Sequence, residues 1–283
     1  MRMGLGRGMG KGCRGIIKIP DTAPEMSFGA NSTNAFKLAW QGQPTSGNIQ
    51  TLVSGGYLSY TGTITASYTS VEGGCWQFNI QSEAKIVVKQ FRKLKRLYIH
   101  SNTQCTWVYN KAMPKTLTYL YLNGNTIYWT YTGALPAGLT SVVLIGSNIK
   151  WIWNGNLPTG LTYLLLSGAN IRWDYEGALP TGLSDRLYLS GANINWTGWG
   201  VQASFSFNAK VLISWNYFIN IGNSPASEAE TANFLSKIDA VALDCASNPQ
   251  TLTFKKTTNI TSEEYLPILQ SLTNKHYTIV LGS

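Results

Sequence analysis

Tyr119–Leu161 reads YLYLNGNTIYWTYTGALPAGLTSVVLIGSNIKWIWNGNLPTGL and gives nearly the same message twice. Pro114, Pro136, Pro158 and Pro180 stand 22 residues apart, and Leu117, Leu139, Leu161 and Leu183 follow them in step. Self-similarity at a period of about 20–50 residues marks units that cannot bury their apolar faces alone and stack to do so. The chain therefore reads as a solenoid before it reads as a two-domain globule, although 283 residues alone would suggest the latter.

Within a unit the order is L-x-x-L-x-L-x-x-N-x-I, complete at Leu117, Leu120, Leu122, Asn125 and Ile127 and looser at Leu139, Val142, Leu144, Ser147 and Ile149. This order resembles leucine-rich repeats. One extra residue recovers two more units, Leu94, Leu97, Ile99 and Asn102 before the run, and Leu183, Leu187 and Leu189 after it, where "LSDRL" carries the insertion. Five units then cover 92–200. The pattern asparagine survives at Asn102 and Asn125 but becomes Ser147, Ala169 and Ala192, with Asn148, Asn170 and Asn193 one place later. The asparagine ladder that the resemblance implies is thus either shifted or lost.

Alternate side chains of a strand point to opposite faces, so Leu120 and Leu122 turn inward while Tyr119, Tyr121 and Asn123 turn outward. Stacking the units predicts three outer columns. The middle one is Tyr98, Tyr121, Val143, Leu165, Tyr188; its neighbours are Arg96, Tyr119, Ser141, Tyr163, Arg186 and His100, Asn123, Ile145, Ser167, Ser190. Arg96, Tyr98, Tyr119, Tyr121, Tyr163, Arg186 and Tyr188 make this an aromatic and basic face, the candidate receptor-binding surface. Tyr and Arg are enriched among the residues that carry binding energy in interfaces. The competing reading is that the rings merely cover the sheet and each other.

A second series, Trp107, Trp129, Trp151, Trp173 and Trp196, is followed two places on by Tyr109, Tyr131, Trp153 and Tyr175. Ile127, Trp129 and Tyr131 share one parity, so an extended segment sends all three toward the core. A 22-residue unit leaves little room for a convex helix, and stacked indoles would fill that volume. The alternative is a row of sugar-stacking rings at the surface. The expected architecture is an α/β solenoid, mostly β, with one parallel sheet along 92–200.

A solenoid needs caps, because its terminal units would otherwise expose core. Residues 20–91 read as a β-rich, sandwich-like N-terminal cap: "FKLAW", "GYLSYTGTITASYT" and "CWQFNIQ" carry β-branched and aromatic residues between Gly, Pro, Ser and Asn clusters. Residues 201–283 read as an α/β C-terminal cap, with a helix in "SPASEAETANFLSKIDAVA", a strand at "TLTF" and a last strand at "YTIVL". Between these strands, Thr261 with Glu264 makes a capping-box pattern ahead of a helix that Pro267 kinks or delays.

Charged residues are only 12% of the chain, yet the net charge is +9. Arg2, Arg7, Lys11, Arg14 and Lys18 place five positive charges and no acid in residues 1–19, a Gly-rich arm with Gly4, Gly6, Gly8, Gly10, Gly12 and Gly15 that is too flexible to fold alone. Lys85, Lys89, Arg92, Lys93, Lys95 and Arg96 form a second basic cluster. The sign alone does not choose among phosphate, lipid headgroup and acidic protein. The start carries no apolar run of signal-peptide length, and no stretch approaches the roughly 18 apolar residues of a membrane span.

Catalytic signals are lacking. "GKGCRG" at Gly10–Gly15 fits G-x-G-x-x-G, but no strand precedes it and no helix pattern follows. The two histidines, His100 and His276, lie in different modules, and Cys13, Cys75, Cys105 and Cys245 form no C-x-x-C pair. Asp174 and Glu176 flank Tyr175 as solvated acids. No catalytic residue, metal site or cofactor is therefore expected. The short repeats, with "GALPAGLT" and "SGANI", resemble those in surface proteins of Bacteroidetes and in spike or tail-fibre proteins of the phages that infect them. That resemblance implies a virion surface protein whose arm threads into other virion proteins while the repeats meet a host surface glycan or protein, with no nucleic acid bound. The alternative is a bacterial cell-surface adhesin or lectin-like module.

Overall fold

The structure, a computed structural model, describes residues 24–29, 32–100, 104–107, 112–183, 186–189, 193–196, 211–214, 226–247, 249–255 and 257–282. The arm residues Arg2, Arg7, Lys11, Arg14 and Lys18 lie outside them, as do Tyr109 and Ser190.

Each repeat unit contributes two strands, not one. The L-x-L strands are β7 (Leu94–His100), β9 (Tyr119–Asn123), β11 (Ser141–Ile145), β13 (Tyr163–Ser167) and β15 (Arg186–Leu189). The I-x-W strands are β8 (Cys105–Trp107), β10 (Ile127–Thr132), β12 (Ile149–Trp153), β14 (Ile171–Tyr175) and β16 (Asn193–Trp196). Each series pairs in parallel into its own sheet. The single sheet expected from the L-x-L pattern is thus one of two. The parity that turns Ile127, Trp129 and Tyr131 inward is itself a strand parity, and strands stacked one turn apart satisfy their backbone groups by pairing.

The core lies between the sheets. Leu120, Leu122, Val142, Leu144, Leu164 and Leu166 enter from the L-x-L sheet, and Ile127, Trp129, Ile149, Trp151, Ile171, Trp173 and Trp196 from the other, all essentially sealed from water. The turns add Leu117, Leu139, Leu161 and Leu183, each at the end of a Pro-x-x-Leu turn whose leucine N–H bonds the proline carbonyl. Between the strands of a unit the backbones approach closely. A Cβ on Gly146 (φ 145°) would sit 2.4 Å from the Gly124 carbonyl oxygen, and one on Gly168 would sit 2.5 Å from that of Gly146.

Three polar ladders tie successive turns. Thr140 and Thr162 Oγ1 donate to the carbonyls of Thr118 and Thr140, both at 3.1 Å. The side-chain amides of Asn148, Asn170 and Asn193 donate to the carbonyls of Asn125, Ser147 and Ala169. The asparagine ladder is therefore shifted, not lost. Indole N–H groups make the third ladder: Trp151, Trp173 and Trp196 Nε1 donate to the carbonyls of Gly133, Gly155 and Gly177 at 3.0, 3.1 and 2.8 Å.

The N-terminal strands extend both sheets. β2 (Ser32–Trp40) pairs antiparallel with β7 and leads on to β5 (Cys75–Ile80) and β4 (Ile64–Thr69). β1 (Glu25–Phe28) pairs antiparallel with β8 and leads on to β6 (Ala84–Val88) and β3 (Leu58–Thr61). A short helix, α1 (Ile49–Ser54), is capped by Asn48 and buries Ile49 and Leu52.

At the other end, among the described residues, the L-x-L sheet alone continues, through β17 (Val211–Ser214), β18 (Gln250–Lys255) and β19 (Tyr277–Gly282), all parallel. Helices α2 (Glu228–Val241) and α3 (Leu266–Asn274) pack there instead of strands, with Phe234 of α2 meeting Phe254 edge-on at 5.0 Å. Ser227 and Glu230 form a reciprocal cap on α2. The capping box expected at Thr261 and Glu264 does not form. The Glu228 carboxylate takes the Thr261 and Ser262 N–H groups, so the chain turns there and α3 starts at Leu266, with Pro267 in its first turn.

Candidate functional site

Among the described residues the L-x-L sheet has eleven strands, and the repeats supply its middle. Its register is the one the 22-residue spacing predicts. Arg96, Tyr119, Ser141, Tyr163 and Arg186 are successive partners, as are Tyr98, Tyr121, Val143, Leu165 and Tyr188. Arg96, Tyr98, Tyr119, Tyr121, Tyr163 and Tyr188 are all half-buried; of Arg186 only the backbone position is described.

The rings stand on edge. Tyr98 and Tyr121, on neighbouring strands, stack with centroids 4.4 Å apart and planes 16° apart. His100 lies parallel to both, at 6.2 and 6.1 Å. Tyr119 is within 3° of the Tyr121 plane. Rings stacked along the hydrogen-bonding direction cover one another's faces and show solvent their edges and hydroxyls. Cations close the open faces at the β2 side: Lys37 Nζ lies 5.0 Å from the Tyr98 centroid and Arg96 Cζ 4.3 Å from that of Tyr119. Lys37 is the site residue that sequence reasoning misses. It is distant in sequence and comes over Tyr98 only because β2 docks antiparallel on β7.

This face bears no Asp or Glu among the described residues that project from it. The outer face of the second sheet differs: Tyr128 and Ile152 are exposed there beside Lys150, Arg172 and Asp174, with Arg172 Nε bonded to Asp174 at 2.9 Å. Asp174 is thus half of a surface ion pair. The second basic cluster also divides: Lys85 pairs with Glu25 at 3.1 Å, whereas Lys89, Arg92, Lys93 and Lys95 lie exposed beside β7.

The indole column is buried, as its parity requires, but its neighbours differ from a plain indole stack. Trp107 and Trp129 are partners and stack at 5.7 Å. Beyond them each strand of the second sheet slides along its predecessor, so Tyr131 partners Trp151, Trp153 partners Trp173 and Tyr175 partners Trp196. Burying an aromatic side chain removes about 150–250 Å² from water, about 4–6 kcal/mol gross at 25 cal/mol/Å². That magnitude makes the column the spine of the solenoid and removes it from the candidate surface.

Burial and hydrogen bonds set the state of several titratable groups elsewhere. Burial pushes the Cys105 thiol far above its ordinary range, and burial followed by the bond from Cys245 raises the Tyr277 phenol, so Cys105 and Tyr277 stay neutral. Cys75, Cys105 and Cys245 are buried thiols. His276 Nδ1 lies 2.9 Å from Asp244. Among the described residues no three His, Cys, Asp or Glu side chains are placed to hold one metal ion. No described helix is long and apolar enough to cross a membrane.

Fold and face together define a two-sheet parallel β-solenoid with an aromatic and basic surface. No family model matches the chain, and no curated protein or solved structure matches it.

Proposed function

We propose that this protein is a non-enzymatic virion surface protein of a bacteriophage, a spike, penton-associated protein or tail fibre, which binds a host-cell receptor through the outer face of its eleven-stranded sheet. The observation that carries the reading is that face: half-buried tyrosines in register, backed by Lys37 and Arg96, without an acid among its described side chains. Parallel pairing and three hydrogen-bonded ladders hold it rigid, so little ordering entropy is lost on binding. The likeness of "GALPAGLT" and "SGANI" to repeats of Bacteroidetes phage spikes supports the virion assignment. So does the composition of residues 1–19, whose five cations and recurrent glycines suit an arm that orders against neighbouring virion proteins.

The test has two parts. Mass spectrometry should find the chain in density-purified phage particles; recovery only from bacterial envelopes would replace the virion with a cell-surface adhesin. Purified protein should also adsorb to cells of the host strain. The triple variant Lys37→Glu, Ser167→Glu and Thr253→Glu, which seeds acids across the face, should abolish adsorption. Thr106→Glu, Thr130→Glu and Thr132→Glu, on the outer face of the other sheet, should not. Equal adsorption by both variants would remove the face from recognition.

A further inference from the structure

We infer that the turn at Asn154 and Gly155 modifies itself: the chain closes a succinimide there and reopens it to aspartate or isoaspartate, with loss of ammonia. The chain contains two Asn-Gly pairs, Asn123-Gly124 and Asn154-Gly155. Such a pair closes readily, because glycine puts no Cβ beside the attacking nitrogen. The fold holds the two pairs in opposite ways.

Asn123 ends β9, and its Nδ2 donates to the Tyr121 hydroxyl at 3.0 Å. The Gly124 N–H donates to the Ile145 carbonyl at 2.8 Å, and the Gly124 carbonyl accepts the Ile127 N–H at 3.3 Å. The nitrogen that would attack is thus committed to the next turn of the solenoid. Asn154 follows β12 and is exposed. Among the described residues neither its side chain nor the Gly155 N–H makes a hydrogen bond. Ring closure needs nucleophile and amide carbon turned toward each other, so the second pair reacts and the first does not.

The repeat explains why a reactive pair stands here. A Cβ on Gly155 would lie 2.7 Å from the Trp153 ring, and the Gly155 carbonyl accepts the Trp173 Nε1 proton at 3.1 Å, so the fold demands this glycine. The residue ahead of it is under no such demand: Thr132, Asn154 and Glu176 occupy equivalent places in successive turns, and all three are exposed.

In the reaction the Gly155 nitrogen gives its proton to solvent and bonds to Asn154 Cγ, while the Cγ–Nδ2 bond breaks and the amide nitrogen leaves as ammonia. Water then opens the imide, and nothing is oxidised or reduced. Attack of water at Cγ restores the main chain with an aspartate, an acid of the kind Glu176 already places in the next turn. Attack at the main-chain carbonyl routes the backbone through the side-chain methylene. That isoaspartate is one carbon longer, immediately ahead of the carbonyl that holds Trp173.

Incubation of the full chain at mildly alkaline pH, followed by peptide mapping with mass spectrometry, tests the turn. Trypsin separates the two pairs, because Lys150 lies between them. In the folded chain Asn154 should show amide-to-acid conversion at least about tenfold faster than Asn123, and the two rates should converge in urea. Equal rates in the folded chain, no conversion at Asn154, or a gap that persists in urea would each overturn the inference. Asn154→Thr, which copies Thr132, should abolish the modification at this turn and keep the parent melting temperature. The aged fraction rich in isoaspartate should melt below Asn154→Asp; equal melting would overturn the link between this turn and the Trp173 bond.

Discussion

Trp151 shows how one residue type serves several constraints at once. Its ring is fully buried, its partner on the preceding turn is Tyr131, and its N–H reaches the Gly133 carbonyl at 3.0 Å. The glycines of the two later G-x-L-P turns fit this use. A Cβ at Gly155 would lie 2.7 Å from the Trp153 ring, and one at Gly177 would lie 2.1 Å from the Tyr175 hydroxyl, so the aromatic ahead of the turn excludes a side chain there. Trp151→Ala removes the ring from the middle of the column, leaves a cavity and strands the Gly133 carbonyl. It should cost about 3–5 kcal/mol in equilibrium denaturation. A denaturation midpoint equal to the parent's would mean that the column contributes no packing and that the solenoid is held by its hydrogen-bonded ladders alone.

Glu228 marks the scale at which local sequence signals give way to tertiary ones. The spacing of Leu, Pro and Trp makes the L-x-L register and the buried column legible, because a period of 22 fixes which residues become neighbours in a parallel sheet. It does not reveal the slide of the second sheet, since Trp129 partners Ile149 and not Trp151, off the spacing of the repeat. Nor does it reveal Lys37, which antiparallel docking supplies, or the turn at Thr261, which reads locally as a capping box but gives its N–H groups to Glu228 of α2. Those backbone bonds from Ser262 and Thr261 hold the Glu228 carboxyl below its ordinary value of 4.5. The unfolded chain then binds its proton first as the pH falls, so the stabilisation is complete above the ordinary value and is lost as the pH drops through the lower folded one. Glu228→Gln should therefore melt below the parent near about pH 7, and the gap should close toward about pH 3. A gap that stays constant over that range would show that the lost contact is not the carboxylate's charge.

The whole molecule is nearly one-dimensional: each turn of the solenoid pairs with the turn before and the turn after, and the strands at its ends continue the same sheets. In such an array, stability is close to a sum of unit and nearest-neighbour terms, so a complete unit can be removed where the junction repeats. Deleting residues 141–162 joins Leu139-Thr140 to Tyr163, the context that Leu161-Thr162 already gives it. Tyr119 then partners Tyr163, and the Trp173 indole meets the Gly133 carbonyl in place of that of Gly155. The shortened chain should unfold cooperatively, keep the near-ultraviolet signature of its packed indoles, and be shorter by about one strand spacing, 4.8 Å, in solution scattering. A non-cooperative transition would show that the units are not interchangeable.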